Sequence, residues 1–256
     1  MRSIFQALTL AHWPSRCVMC GAWPTPKGTH PWCEACDQMW ATTQPRCVRC
    51  ARRLQPPAQE CGECLRHPTH LSRCWAAVDY AFPWPSLLYQ LKGANGSALG
   101  PPLARLMANA WQRPSSNPKS FEAARILWAP VPLHPRRLME RGHNQSWALL
   151  RGLMAQGVCM PNDVVLPNLI ERPTPKITQH NLGREARKIN SRFAFQVSAH
   201  QRSRVSRWLL SEPTLQVVLI DDVYTTGATL DAAARALTAV WPVPVNAMVF
   251  ARTPAR

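Results

Sequence analysis

Four Cys-x-x-Cys pairs, Cys17/Cys20, Cys33/Cys36, Cys47/Cys50 and Cys61/Cys64, crowd into the first quarter of this 256-residue chain, separated by 12, 10 and 10 residues. Two sulfurs three positions apart on a tight turn converge on one ion, and two such turns complete a tetrahedral four-thiolate shell. A shell of that kind has no open position, so it suits structural rather than catalytic zinc. Disulfides are the alternative, but thiols stay reduced in a cytosolic compartment, and four evenly spaced pairs do not resemble a disulfide scaffold. The expectation is therefore two zinc ions. Consecutive pairing makes the sets 17/20/33/36 and 47/50/61/64, and the spacing also allows alternate pairing, with Cys17/Cys20 joined to Cys47/Cys50. Cys74 and Cys159 have no such partner and read as buried apolar residues.

The segment that holds the pairs, residues 1–66, has few aliphatic side chains, so much of its folding free energy is expected from the metal. Trp13, Trp23, Trp32 and Trp40 would pack its sparse core, and the same rings could offer stacking surfaces to a partner or to single-stranded nucleic acid. The opening stretch, MRSIFQALTLAHWPSRC, reads as a short amphipathic helix, because His12 and Trp13 interrupt its apolar patch and no small-residue cleavage site follows. No run of about 18 apolar residues occurs, so no bilayer span is expected and the chain reads as cytoplasmic.

Beyond residue 66 the texture changes, and residues 67–256 are expected to form a second domain. AAVDYAF, ARILWAPVP, VVLPNLIER, FAFQV, VVLIDDV and VNAMVFAR read as strands; SLLYQLKG, ALGPPLARLMANAWQR, NQSWALLRGLMAQG and ATLDAAARALTAV read as helices. Strands alternating with helices imply right-handed crossovers and a mainly parallel sheet with flanking helices, an α/β class.

One stretch in that domain, VVLIDDVYTTGATL over residues 217–230, carries chemistry. Adjacent carboxylates repel, and a chain with only 14 acidic residues gains nothing by placing Asp221 beside Asp222 in a solvated loop. At the carboxyl end of a parallel strand, where ligands bind in open sheets, the pair has a purpose. The N–H groups of Thr225, Thr226, Gly227, Ala228 and Thr229, with the threonine hydroxyls and the helix that follows, form a cradle for a phosphate. Asp221 and Asp222 suit neighbouring hydroxyls, such as a ribose diol, or Mg2+ held through water. Phosphate and vicinal diol together specify a ribose 5-phosphate.

The stretch resembles the 5-phosphoribosyl 1-pyrophosphate (PRPP) motif of type I phosphoribosyltransferases. With the cysteine-rich N-terminus, APVPLHPRRLMERGHNQ, RPTPKITQHNLGREARKIN and the closing VFART, nearly the whole chain resembles the ComF family, associated with natural competence and DNA uptake. That resemblance implies a phosphoribosyltransferase-type sheet behind a double zinc ribbon, with Asp221 and Asp222 as catalytic acids and PRPP bound with Mg2+. It implies pyrophosphate partners in Arg136, Arg137 and Arg141, and a loop over residues 174–192 that closes over PRPP with Lys176, Arg184, Arg187 and Lys188. Asn144 and Gln145 are expected to fix a loop or cap a helix, and His134, His143 and His180 to be hydrogen-bonding surface residues.

The resemblance has limits in these residues. Thr225 stands where purine-salvage relatives carry an acid, and no glutaminase domain precedes the sheet, so the sequence names no nucleophile. Formal charge is +16 with neutral thiols, and residues 67–256 hold 22 Lys/Arg against 10 Asp/Glu. Such a surface attracts polyanions. Two function classes follow: a transferase moving ribosyl phosphate to an acceptor, or a non-catalytic protein of the DNA-uptake machinery that binds single-stranded DNA or docks partner proteins.

Overall fold

The computed structural model describes residues 16–23, 31–42, 44–111, 125–173, 195–211 and 215–254. The chain forms two compact units, Met1–Thr43 and Gln44–Arg256. The boundary expected after residue 66 falls inside the second unit, where the second cysteine set, Cys47 to Cys64, shares a core with the sheet. The expected N-terminal helix lies outside the described residues.

In the first unit, a turn at Cys17–Cys20 faces helix α1, Glu34–Trp40, which begins directly after Cys33. Trp32 is fully buried there and donates from its indole Nε1 to Asp37 Oδ1 at 2.8 Å. Trp23, by contrast, is 57% exposed.

The second unit opens with a turn at Cys47–Cys50 and a short helix α2, Gly62–Arg66, which carries Cys64. Strand β1, Arg73–Asp79, leads into α3, Trp84–Leu91, then a 3-10 turn at Gly96–Leu99 and α4, Gly100–Trp111. After β2, Ile126–Pro130, come α5, Pro135–Arg141, and α6, Gln145–Ala155. Two-residue strands follow at β3, Val164–Val165; β4, Ile170–Glu171; and β5, Gln196–Val197. Helix α7, Ala199–Ser211, precedes β6, Gln216–Tyr224; α8, Ala228–Thr238; and β7, Val245–Arg252.

Five strands form one wholly parallel sheet in the order β1-β7-β6-β2-β3. Parallel strands are covered on both faces, so they are apolar throughout rather than alternating. β6 and β7 obey this: Val217 to Ile220 and Ala247 to Ala251 are fully buried. Because all strands run one way, their carboxyl ends share one edge, where Asp79, Pro130, Tyr224 and Arg252 lie. Helices α4 and α6 pack so closely that a Cβ on Gly152 would come 2.5 Å from Ala104 Cβ.

Two expectations change. VVLPNLIER is not one strand: Val164–Val165 joins the main sheet, whereas Ile170–Glu171 pairs antiparallel with Gln196–Val197 in a separate two-stranded sheet. Pro167, which lacks an N–H, sits in the turn between them. Helix α7 is an addition to the expected elements; its exposed, Arg-rich surface hides the stripe, and only Val205 of its described residues is fully buried. Among the described residues no helix is long and apolar enough to cross a membrane.

Candidate functional site

The cysteines form two sets, Cys17/Cys20/Cys33/Cys36 and Cys47/Cys50/Cys61/Cys64, each with its four sulfurs within 4.8 Å of one another. Consecutive pairing is therefore the one adopted. Cys17–Cys36 and Cys20–Cys33 sulfurs lie 3.8 Å apart and Cys50–Cys61 3.6 Å. A zinc tetrathiolate with bonds of about 2.3 Å has edges of about 3.8 Å, so both sets suit structural zinc. One thiol of each set is favoured as the thiolate, while Cys20, Cys36, Cys50 and Cys64 are pushed up. Burial pushes the Cys17 thiol up, but N–H groups of Cys20, Cys33 and Met19 outweigh it and bring it down to about 6. A hydrogen bond from Cys50, opposed by burial and aided by the N–H of Cys61, brings Cys47 down to about 4. The second set is buried throughout and belongs to the same core as Leu71, Ala76 and Val249.

The remaining chemistry lies at the carboxyl end of β6. Asp221 and Asp222 are 8% and 5% exposed, while Thr225, Thr226, Ala228 and Thr229 are exposed on the turn into α8. Gly227 caps that helix at φ +85°, in left-handed geometry, and a Cβ there would lie 2.3 Å from Tyr224 Oη. Glycine is the residue that meets both conditions. The first amides of α8 have no intrahelical acceptor, so with the open turn they present donors to an anion.

The two acids have separate partners. Ser146 Oγ, at the start of α6, donates to Asp221 Oδ1 at 2.9 Å, and the N–H of Asp222 donates to the same oxygen at 2.9 Å. Burial, then the neighbouring Asp222 carboxylate, push Asp221 up to about 8. Asp221 therefore favours its protonated form around neutral pH. Lys92, just past α3, sets its ammonium 2.6 Å from Asp222 Oδ2. The contact is an ion pair without hydrogen-bond alignment, which leaves that oxygen no aligned donor.

The basic residues after β2 are arranged around α5. His134 Nδ1 caps it by accepting from the N–H of Arg136 at 3.3 Å. Arg136 and Arg137 are exposed, with Arg136 3.4 Å from Glu140; Arg141 donates to Gln145 Oε1 at 3.0 Å. Asn144 caps α6 and donates to the Val131 carbonyl at 3.0 Å, fixing the loop. His143 bridges the carbonyls of Arg141 and Leu91 at 3.2 and 2.9 Å. Lys176, His180, Arg184, Arg187 and Lys188 lie outside the described residues. Cys74 is buried, and Cys159 is half-buried.

Sequence reasoning missed four residues here. Lys92 is the lone charge in SLLYQLKG, and Arg252 is the lone charge in VNAMVFAR; both breaks in pattern were signals. Ser146 had none. Arg172 is half-buried over the Phe195 ring at 5.2 Å, and burial, then Arg137, lower its pKa. Two guanidiniums that disfavour each other near Asp221 make an anion welcome.

The fold and site define an α/β protein with a parallel sheet, a turn into a helix at the sheet's carboxyl edge, and two four-cysteine clusters suited to structural zinc. No family model matches the chain. It is 28% identical over 240 residues to DNA utilization protein YhgH of Escherichia coli (strain K12), covering 94% of this chain and 98% of that protein. It is 29% identical over 221 residues to the Salmonella typhimurium protein of the same name, covering 86% and 90%. With competence protein F of Haemophilus influenzae identity is 29% over 205 residues, covering 80% and 83%. These near full-length relatives, with the two cysteine sets, support the resemblance to the ComF family.

Proposed function

We propose that this chain binds PRPP, carried in with Mg2+, and acts as a phosphoribosyltransferase linked to DNA uptake. The observation that supports this best is the turn over Thr225, Thr226, Gly227, Ala228 and Thr229, exposed at all but Gly227, beside two buried carboxylates, Asp221 and Asp222. The turn's amides take the 5'-phosphate, and the acids take the ribose hydroxyls. With its carboxyl pushed up by burial, Asp221 suits a hydroxyl better than a bare cation, so Mg2+ travels on the pyrophosphate of the ligand. Arg136, Arg137, Arg141 and Arg172 then face the leaving group, with Lys176, Arg184, Arg187 and Lys188 from the segment over residues 174–192. In the transfer, the C1–O bond to pyrophosphate breaks with its electron pair on the departing oxygen. A new bond forms from C1 to a nitrogen acceptor, which gives up a proton.

Calorimetric titration with Mg-PRPP and with ribose 5-phosphate tests the binding. Micromolar binding that is lost in Asp221→Asn/Asp222→Asn, while the variant stays folded, supports the reading; unchanged affinity in the variant ends it. Pyrophosphate release with candidate acceptors tests turnover.

A second reading, a non-catalytic protein that binds single-stranded DNA or docks the uptake machinery through its ribbons, is favoured by the relatives' names, DNA utilization protein and competence protein F. The basic excess of residues 67–256 supports it too. It requires DNA affinity that falls steeply between low and physiological salt.

A further inference from the structure

Arg252, the last residue of β7, is 5% exposed and joins three parts of the second unit. Its Nε donates to the Cys50 carbonyl at 2.8 Å. Its Nη1 lies 3.0, 2.7 and 2.8 Å from the carbonyls of Tyr224, Thr225 and Thr253. Its guanidinium sits 4.5 Å from the centre of the Tyr224 ring, the ring on which Gly227 rests. The carbonyl of one residue and the N–H of the next share a rigid plane and point in opposite directions in a trans peptide. Holding the Tyr224 and Thr225 carbonyls on one side therefore aims the N–H groups of Thr225 and Thr226 to the other, into the exposed face of the turn. A second tie reaches the following helix: Asp231 Oδ1 accepts from the N–H of His70 at 2.8 Å and lies 3.1 Å from His70 Nδ1, on the segment between Cys64 and β1.

We infer that Arg252 is a positioning residue that couples the second cysteine set to the phosphate turn, so that metal held by Cys47, Cys50, Cys61 and Cys64 and a sugar phosphate at residues 225–229 stabilise each other. The inference rests on the sugar-phosphate reading of that turn. Coupling between two sites is reciprocal, so it is measurable from the metal side. Zinc seated in the second set keeps the Cys47–Cys50 turn in place, that turn holds Arg252, and Arg252 sets two amides that meet the phosphate.

The test uses the full-length, zinc-loaded protein with ribose 5-phosphate as probe. Zinc loss to EDTA is followed by iodoacetamide alkylation and peptide mapping, which read the two cysteine sets separately. Saturating ribose 5-phosphate should slow alkylation of Cys47, Cys50, Cys61 and Cys64 by about fivefold or more and leave Cys17, Cys20, Cys33 and Cys36 unchanged. In Arg252→Met the protection should vanish, with partial recovery in Arg252→Lys; a purely structural role would speed zinc loss but leave ligand protection intact. If Arg252→Met does not fold, the wild-type protein alone is decisive. Bound ribose 5-phosphate, verified by calorimetry, that protects neither set or both sets equally overturns the coupling while the sugar-phosphate reading stands. No binding of ribose 5-phosphate at all overturns that reading, and the coupling falls with it.

Discussion

Lys92 sets its ammonium 2.6 Å from Oδ2 of Asp222, and this ion pair joins the end of α3 to the end of β6 at the mouth of the candidate site. The Asp222 side chain is 8% exposed, whereas that of Lys92 is 32% exposed, so the carboxylate depends on its partner more than the lysine does. Lys92→Met strands a buried charge. It should lower stability by about 1–3 kcal/mol, read as a drop in Tm, and weaken ribose 5-phosphate binding. An unchanged Tm would show that the pair contributes nothing.

Asp221 offers a pH test. In the unfolded chain it titrates near the ordinary 3.8, and in the fold burial and Asp222 raise it to about 8. Between those values the folded state holds a proton that the unfolded state has released, so stability falls as pH rises through this window. The contribution is complete below 3.8 and lost above about 8. Asp221→Asn, which still accepts from Ser146, should melt several degrees above wild type at pH 9, with the gap closing toward pH 5. Parallel Tm curves across that range would contradict the raised carboxyl.

Gly227→Ala places a Cβ 2.3 Å from Tyr224 Oη and forces a left-handed backbone. The backbone alone costs about 1–2 kcal/mol, and the tyrosine cannot yield because Arg252 packs against its ring. Ribose 5-phosphate affinity should fall at least tenfold in titration. A variant that binds normally would mean that the turn does not contact the ligand.

The two cysteine sets should differ in what they support. Cys47 and its partners belong to the core that includes β6 and β7, whereas Cys17 belongs to the other compact unit. Cys47→Ser should lower the main calorimetric transition by several degrees and remove one zinc per chain. Cys17→Ser should also remove one zinc but leave that transition in place. Equal effects on the main transition would place both sets in one cooperative unit.

Much of the architecture was readable in the residues because its signals are local. VVLI and AMVFA are apolar runs at the centres of their strands, the mark of parallel strands buried on both faces, and ATLDAAARALTAV has helical spacing. The cysteine spacing is equally local. Other elements had no such signature. Helix α5 has no buried residue, so no apolar stripe marked it within the proline-bounded loop. Helix α7 buries too little to stand out.

The turn from β6 into α8, the Cys-x-x-Cys pairs and the individual strands and helices follow from the order of residues alone, since each is written within a dozen or so neighbouring positions. Folding in three dimensions chose consecutive over alternate cysteine pairing, set Lys92 against Asp222 and Ser146 against Asp221, and ran Arg252 from Cys50 to Thr225. Those partners come from distant parts of the chain. What brings them together is burial of the sheet, which forces each polar group within it to find a counterpart, whatever its place in the sequence.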